Sequence, residues 1–259
     1  QQQMESEGIR IIANARAEKV EVIAGKKHVT AGDETIIVDE ILVATGRSPN
    51  VGSLGLEAAG VNYDKKGVKV DDKLRTSNKR IYAAGDVIGG YQFTHVAGYE
   101  AGIAMQNALV FPAKKADYQV IPWATFTNPE LGRVGLTEKQ ARDRYGDDVY
   151  VLRQNFDGVD RALAEAAGTG FGKFITKGNG EILGAHIVGP HAGELIHEAV
   201  LAMSNNLKVS ALQGIHIYPT LSEISAKTAL QLTKQKYAKN TRLQNILKKF
   251  FSLRRSIAR

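Results

Sequence analysis

The sequence predicts two architectures in one chain, an α/β segment followed by an α+β unit built on an antiparallel sheet. Three observations carry that expectation. Glu40-Ile41-Leu42-Val43-Ala44-Thr45-Gly46 is a continuous apolar run closed by glycine, which is the pattern of a strand buried on both faces of a parallel sheet. Past Phe111-Pro112-Ala113-Lys114-Lys115-Ala116 the composition turns β-rich, which places a domain boundary near residue 118. Beyond it, two strand patterns at residues 172–176 and 182–188 are joined by Lys177-Gly178-Asn179-Gly180, a strong hairpin signal.

Composition sets the limits. A chain of 259 residues, 43% hydrophobic and 24% charged, buries one large core or two modest ones and is not a disordered chain. It holds no apolar run of about 18 residues, so no membrane-spanning helix is expected. Gln1-Gln2-Gln3-Met4-Glu5 has neither a basic start nor an apolar run behind it, so no signal peptide is expected either. A cytoplasmic location, with membrane association at most peripheral, is the resulting expectation. The absence of cysteine excludes disulfides, thiolate catalysis and cysteine–zinc sites within this sequence. The net charge of +7 is concentrated at one end. Residues 236–259 hold eight basic side chains (Lys236, Lys239, Arg242, Lys248, Lys249, Arg254, Arg255 and Arg259) and no acid, so subtracting them leaves the preceding 235 residues at −1.

Taken in order, residues 9–15, 20–24 and 34–38 read as β-rich, with a turn at Gly25-Lys26-Lys27. A short helix is expected before Gly60, a brief strand at 68–70 and another at 81–84. The last ends in Gly85 and Asp86, which puts a carboxylate at a strand's carboxyl end, the edge where open α/β sheets hold ligands. Gln92-Phe93-Thr94-His95 leads into a helix with Thr94 as its expected N-cap, and Ala97, Ala101 and Ala104 recur on one face. In the second unit, residues 121–130 predict a strand and a turn. Thr137 and Gln140 form a capping box that opens a helix ending near Gly146. A strand follows at 149–155, and a helix over 193–205 carries Leu195, Ala199 and Met203 on one stripe. His186, His191 and His197 lack the spacing of a metal site. They read as surface or interface residues, and no metal is expected.

The densest chemistry lies in Gly214-Ile215-His216-Ile217-Tyr218-Pro219-Thr220-Leu221-Ser222-Glu223. A Tyr–Pro bond adopts the cis form at modest cost. Thr220 and Ser222 both suit the N-cap of the following helix, and Glu223 falls in its first turn, where the dipole favours a carboxylate. Local chemistry leaves two readings open: a capped helix after a proline bend, or a carboxylate placed to orient a neighbouring acid or base.

Two further strings bear on that choice. Ala44-Thr45-Gly46-Arg47-Ser48-Pro49-Asn50 and Thr76-Ser77-Asn78-Lys79-Arg80-Ile81-Tyr82-Ala83-Ala84-Gly85-Asp86 precede the decapeptide. The three together resemble motifs of the flavin-dependent pyridine nucleotide–disulfide oxidoreductases, the family of dihydrolipoamide dehydrogenase, glutathione reductase and mercuric reductase. The resemblance runs over roughly residues 8–235. It implies the C-terminal part of a flavoprotein with two dinucleotide-binding domains, followed by a dimerisation domain. Residues 1–46 would end an NAD(P)-binding domain, 47–118 form the second segment of an FAD-binding domain, 119–235 the dimerisation domain and 236–259 a basic amphipathic tail.

The resemblance also implies roles. FAD and NAD(P)H are the implied cofactors, and electron transfer to a disulfide or related acceptor the implied reaction. Gly46 closes the crossover between domains. Asp86, after Gly85, would bond the ribityl chain of the flavin, and the backbone at Gln92, Phe93, Thr94 and His95 would face its pyrimidine edge. His216, Pro219, Thr220 and Glu223 match the family's C-terminal signature, with Glu223 as orienter of an acid/base group, while Tyr218 stands where the acid/base histidine belongs. A phenol titrating near 10 is a poor base at neutral pH. Mercuric reductases carry a tyrosine there too, which implies a metal-ion or non-lipoamide substrate, yet their C-terminal cysteine pair is absent and argues against mercury. The family's active site is shared between two subunits, so a homodimer is expected. Its redox cysteines and glycine-rich FAD motif belong to a front half not contained in this sequence, so the chain reads as a fragment inactive by itself.

The tail stands apart. Leu243, Ile246, Leu247, Phe250 and Phe251 follow helical i, i+3, i+4, i+7, i+8 spacing with basic residues between them. That profile suits a peripheral membrane or protein contact, or packing on the chain's own core. Nucleic acid is not an expected partner, because the aromatics sit on the apolar stripe. The competing reading of the whole chain is a non-catalytic dimerisation or docking module with this tail as its working part.

Overall fold

The computed structural model describes residues 1–257, and of Ile257 only the backbone. Contacts divide the chain into two compact units, Gln1–Ala116 and the remainder from Asp117.

The first unit opens with a short helix α1 (Gln2–Ser6) and a three-stranded antiparallel meander, β1 (Ala17–Ile23), β2 (Lys26–Ala31) and β3 (Glu34–Val38). Val20 pairs with Val29, and His28 with Ile37. Residues 9–15 form no strand. The run 40–46, expected as a buried parallel strand, is also not one: it is extended and exposed, Leu42 at 91%. The reason is the ladder. An apolar run becomes an interior strand only with neighbours that pair its N–H and C=O groups, and every described sheet is antiparallel with none of its strands beside residues 40–46.

The rest of the first unit is held by turns. Residues 55–61 form single hydrogen-bonded turns stopped by Gly60 instead of a helix. β4 (Tyr63–Asp64) pairs with β5 (Gly67–Val68), and the strand expected at 68–70 stops at Val68. Residues 81–84 make only an isolated bridge, Tyr82 to Arg75. What fixes this stretch is side-chain chemistry. Thr76 Oγ1 donates to the Asn78 and Ile81 carbonyls at 2.9 Å, and Asn78 Nδ2 to the Ala59 carbonyl at 2.7 Å. Leu56, Val61 and Val68 bury themselves against Ile81 and Val87. α2 (Thr94–Leu109) closes the unit, burying Val96, Glu100, Ile103 and Asn107. The alanine face expected to pack is one step out of register: Ala101 is exposed.

The second unit is a five-stranded antiparallel sheet of β6 (Pro122–Thr125), β7 (Glu130–Gly135), β8 (Val149–Asn155), β9 (Phe171–Lys177) and β10 (Ile182–Gly189), in the order β6-β7-β10-β9-β8. Ala185 faces Val134 on one side and Phe174 on the other. Helices α3 (Glu138–Tyr145), α4 (Asp160–Ala164), α5 (Ala192–Leu195), α6 (His197–Ser204), α7 (Glu223–Lys239) and α8 (Thr241–Ile257) complete it. The capping box is present: Thr137 Oγ1 accepts from Gln140 N, Gln140 Oε1 accepts from Thr137 N, and Gly146 ends the helix. The helix expected over 193–205 is broken at Ile196 into α5 and α6. Val134, Leu152, Phe156, Phe174, Ile187, Ile196 and Ile224 are almost wholly buried in one cluster between sheet and helices. Gly132 admits α5, because a Cβ there would lie 2.3 Å from the Ala192 carbonyl oxygen. Among the described residues no helix is long and apolar enough to cross a membrane.

Candidate functional site

The first unit gathers its site around a 3₁₀ turn, Gly85–Ile88. Gly85 has φ +80°, and a Cβ there would sit 3.0 Å from that of Ala97, so glycine lets the turn lie directly on α2. The Gly85 N–H donates to Glu100 Oε2 at 2.6 Å. Glu100 is only 2% exposed, a buried carboxylate that such a bond helps to offset. The turn and the start of α2 are therefore one rigid piece, and Asp86 is carried on it.

Asp86 keeps about half of its side chain exposed (49%) and faces Arg47, whose Nη1 lies 3.3 Å from Asp86 Oδ2. The same Nη1 donates to the Gln92 carbonyl at 2.9 Å. Arg47 thus ties residues 46–48 to the loop before α2. Thr94 is not the N-cap. Phe93 holds that position in extended conformation, Thr94 begins the helix, and no side chain caps it. The His95 ring stacks on Phe93 with centroids 5.4 Å apart. Gly46 is exposed with φ +133° and no heavy atom within 4 Å of its would-be Cβ.

Whether these residues suit a flavin is a question of donor and acceptor types. A half-exposed carboxylate accepts from polyol hydroxyls, and a helix start with no capping side chain presents the positive end of its dipole to a ring edge that gains negative charge. The chemistry of Asp86 and the α2 start fits both demands.

The second unit carries the other residues on the bend before α7. The Tyr218–Pro219 bond is cis. Tyr218 is 67% exposed, and its hydroxyl donates to Asp160 Oδ2 at 2.7 Å. That bond, with the charge of Asp160, holds the phenol above its ordinary pKa. Glu223, expected to orient its neighbour, instead pairs with Lys227 at 3.6 Å, and its Oε2 is buried without a hydrogen-bond partner. Ser222 occupies the N-cap position, yet its side chain does not cap. Its hydroxyl lies 2.8 Å from that of Thr220, which bonds the Ile217 carbonyl. His216 is held by the Gly214 carbonyl at Nδ1 (2.7 Å) and by Glu198 at Nε2 (3.4 Å). Nδ1–H is therefore the donor, and Nε2 faces the carboxylate.

Beside the bend lies an open groove of about 450 Å³, lined among others by Glu198, Leu201, Leu207, Ile215, His216 and Ile217. Ile215 is fully exposed and Ile217 largely so. Contiguous apolar surface of this kind marks an interaction face. Of His186, His191 and His197, His186 is largely buried with Nε2 3.1 Å from the Leu136 carbonyl oxygen, and burial lowers its pKa. Among the described residues no group of three or more His, Cys, Asp or Glu is arranged to hold a metal ion.

Sequence reasoning gave no role to Arg47, Glu100, Asp160 or Glu198. Glu100 was legible in principle, since Val96, Glu100, Ile103 and Asn107 share one inward face at helical spacing. Asp160 and Glu198 lie 58 and 18 residues from their partners, and no local pattern flags them.

Comparison with known proteins follows the same division. Residues 1–101 match the pyridine nucleotide-disulphide oxidoreductase family, and residues 121–229 its dimerisation domain. A mercuric reductase of Staphylococcus aureus is 41% identical over 236 residues, covering 88% of this chain and 43% of that protein. A dihydrolipoyl dehydrogenase of Chlamydia pneumoniae is 36% identical over 230 residues, covering 88% and 50%. Among solved structures, the HOCl-induced flavoprotein disulfide reductase RclA from Escherichia coli superposes with a TM-score of 0.81 at 30% identity, covering 88% of this chain and 53% of that one. The chain spans about half the length of the relatives it matches.

Proposed function

The chain belongs to the pyridine nucleotide–disulphide oxidoreductase family, and from that premise we propose that it supplies the flavin-side turn and the dimerisation unit of an FAD-dependent NAD(P)H oxidoreductase. When bound, FAD carries electrons from NAD(P)H to a disulfide or related acceptor. Asp86 accepts hydrogen bonds from the polyol chain of the flavin, and the start of α2 favours negative charge on the adjacent ring edge. Arg47 and Glu100 hold that turn in place.

Residues 119–235 assemble two copies, so that the Tyr218 bend of one serves the flavin of its partner. With its one proton donated to Asp160, the phenol is uncharged at neutral pH and works as a fixed polar group whose oxygen accepts a hydrogen bond, not as a base. Glu223 pairs with Lys227 inside α7 itself, and His216 on the bend reaches Glu198 of α6.

The observation that carries this reading is the bend itself: a fixed, proton-bearing phenol on an exposed apolar face, in a unit that matches a dimerisation domain. The test is a chimera in which residues 8–235 replace the matching segment of the Staphylococcus aureus mercuric reductase. It should bind FAD and oxidise NAD(P)H, Asp86→Ala should reduce its flavin content, and Tyr218→Phe should slow turnover with flavin retained. A folded, dimeric chimera without flavin would refute the assignment.

A further inference from the structure

The proposed reductase chemistry leaves α8 without a task. Asn240 interrupts the run of helix after Lys239, with φ −100° and ψ 79°, and its Oδ1 accepts from Leu243 N at 2.9 Å, so α8 begins as a separately capped helix. Seventeen residues give it a length of about 25 Å. At 100° per residue, Leu243, Ile246, Leu247, Phe250, Phe251 and Leu253 fall within an arc of roughly 160°. The chain's own core does not cover that arc: Leu243, Ile246, Phe250, Phe251 and Leu253 are 40% to 62% exposed.

The charge around the arc says what covers it. Arg242 and Lys249 line one rim, Lys248 and Arg255 the other, and among the described residues no carboxylate pairs with any of them. No acidic residue occurs anywhere in 236–259, of which Arg259 lies outside the described residues. A second α8 laid against the first would bring like charges together along both rims. A nucleic acid would meet the cations but leave the two phenylalanines, which sit inside the apolar arc, without bases to stack on. An anionic lipid surface satisfies both halves of the helix at once, since acyl chains receive the arc and headgroups the rims.

We infer that α8 is an interfacial anchor that lies in the headgroup boundary of an anionic bilayer and holds the chain at the membrane surface without crossing it. Arg254, which projects from within the arc, reaches the headgroups along its aliphatic stem.

Cosedimentation of the whole chain with large vesicles tests this, using pure phosphatidylcholine beside an equimolar mixture with phosphatidylglycerol. Binding is expected with the anionic vesicles, little with the neutral ones, and it should weaken as salt is raised. Replacing both lysines, Lys248→Gln with Lys249→Gln, should cut the affinity on the order of tenfold, and Phe250→Ser with Phe251→Ser at least as much. Both pairs are exposed, so circular dichroism and thermal unfolding should match the parent. If the phenylalanine variant nevertheless unfolds, the lysine variant decides. Failure to bind anionic vesicles overturns the inference, as does equal binding to both lipids or undiminished binding by the folded variants. Self-association that the phenylalanine pair abolishes, with no vesicle binding, assigns the face to a second copy and overturns it equally.

Discussion

The Tyr218 hydroxyl donates a 2.7 Å hydrogen bond to Asp160, a residue 58 positions earlier in the chain. An anionic acceptor favours the protonated phenol, so the proton is retained well into the alkaline range, and the group is a donor throughout the neutral range. Asp160→Ala removes that acceptor. Tyr218 should then titrate at lower pH, read as the ultraviolet difference between the chain and its Tyr218→Phe form, which isolates one of nine tyrosines. Identical titration with and without Asp160 would mean that the pair does not persist in solution.

Glu100 ties the Gly85 turn to α2 from within the unit. Glu100→Ala strands a buried N–H and leaves a cavity, with an expected loss of about 2–4 kcal/mol in the stability of the first unit. Glu100→Gln keeps an acceptor for the Gly85 N–H and should recover part of that loss. Chemical denaturation together with hydrogen exchange at the Gly85 amide measures both. An alanine variant with parental stability would mean that the turn does not depend on this bond.

His186 offers a pH test with a defined sign. Burial lowers its pKa, and the charges of Arg133 and Lys173 act in the same direction. The unfolded chain therefore takes up a proton near the ordinary histidine pKa of about 6.5 while the folded chain does not. Stability conferred by the neutral ring is present above that pH and is lost as pH falls toward the lowered folded value. His186→Gln, which retains a donor for the Leu136 carbonyl, should flatten the fall in Tm on acidification below about pH 6.5. Parallel Tm profiles for the two proteins would contradict this.

Local grammar was legible in the sequence where the deciding interactions are local. The Thr137–Gln140 capping box, the Gly146 stop, the hairpin before Glu181 and the amphipathic α8 all rest on neighbours within a few residues. The run 40–46 failed because hydrophobicity specifies burial and not the strands that must pair with it. Thr94 failed as a cap because Phe93 takes the extended conformation one residue earlier. At the candidate sites, the motif strings pointed to Asp86 and Tyr218, whereas the residues that position them, Glu100 and Asp160, are defined only by the folded chain. Glu223 shows the limit of a motif most plainly: it lies in the first turn of α7 as expected, yet its partner is Lys227 and the phenol belongs to Asp160.

The proposal that one copy's bend serves its partner's flavin has a direct measurement. Asp86→Ala and Tyr218→Phe are placed in separate chimeras, each impaired alone, and the two are dissociated together and reassociated. If the sites are shared across a two-fold axis, half of the randomly paired dimers are mixed, each contains one intact site, and activity should return to about a quarter of the unmutated chimera. A mixture no more active than the sum of its two parents would contradict the shared site.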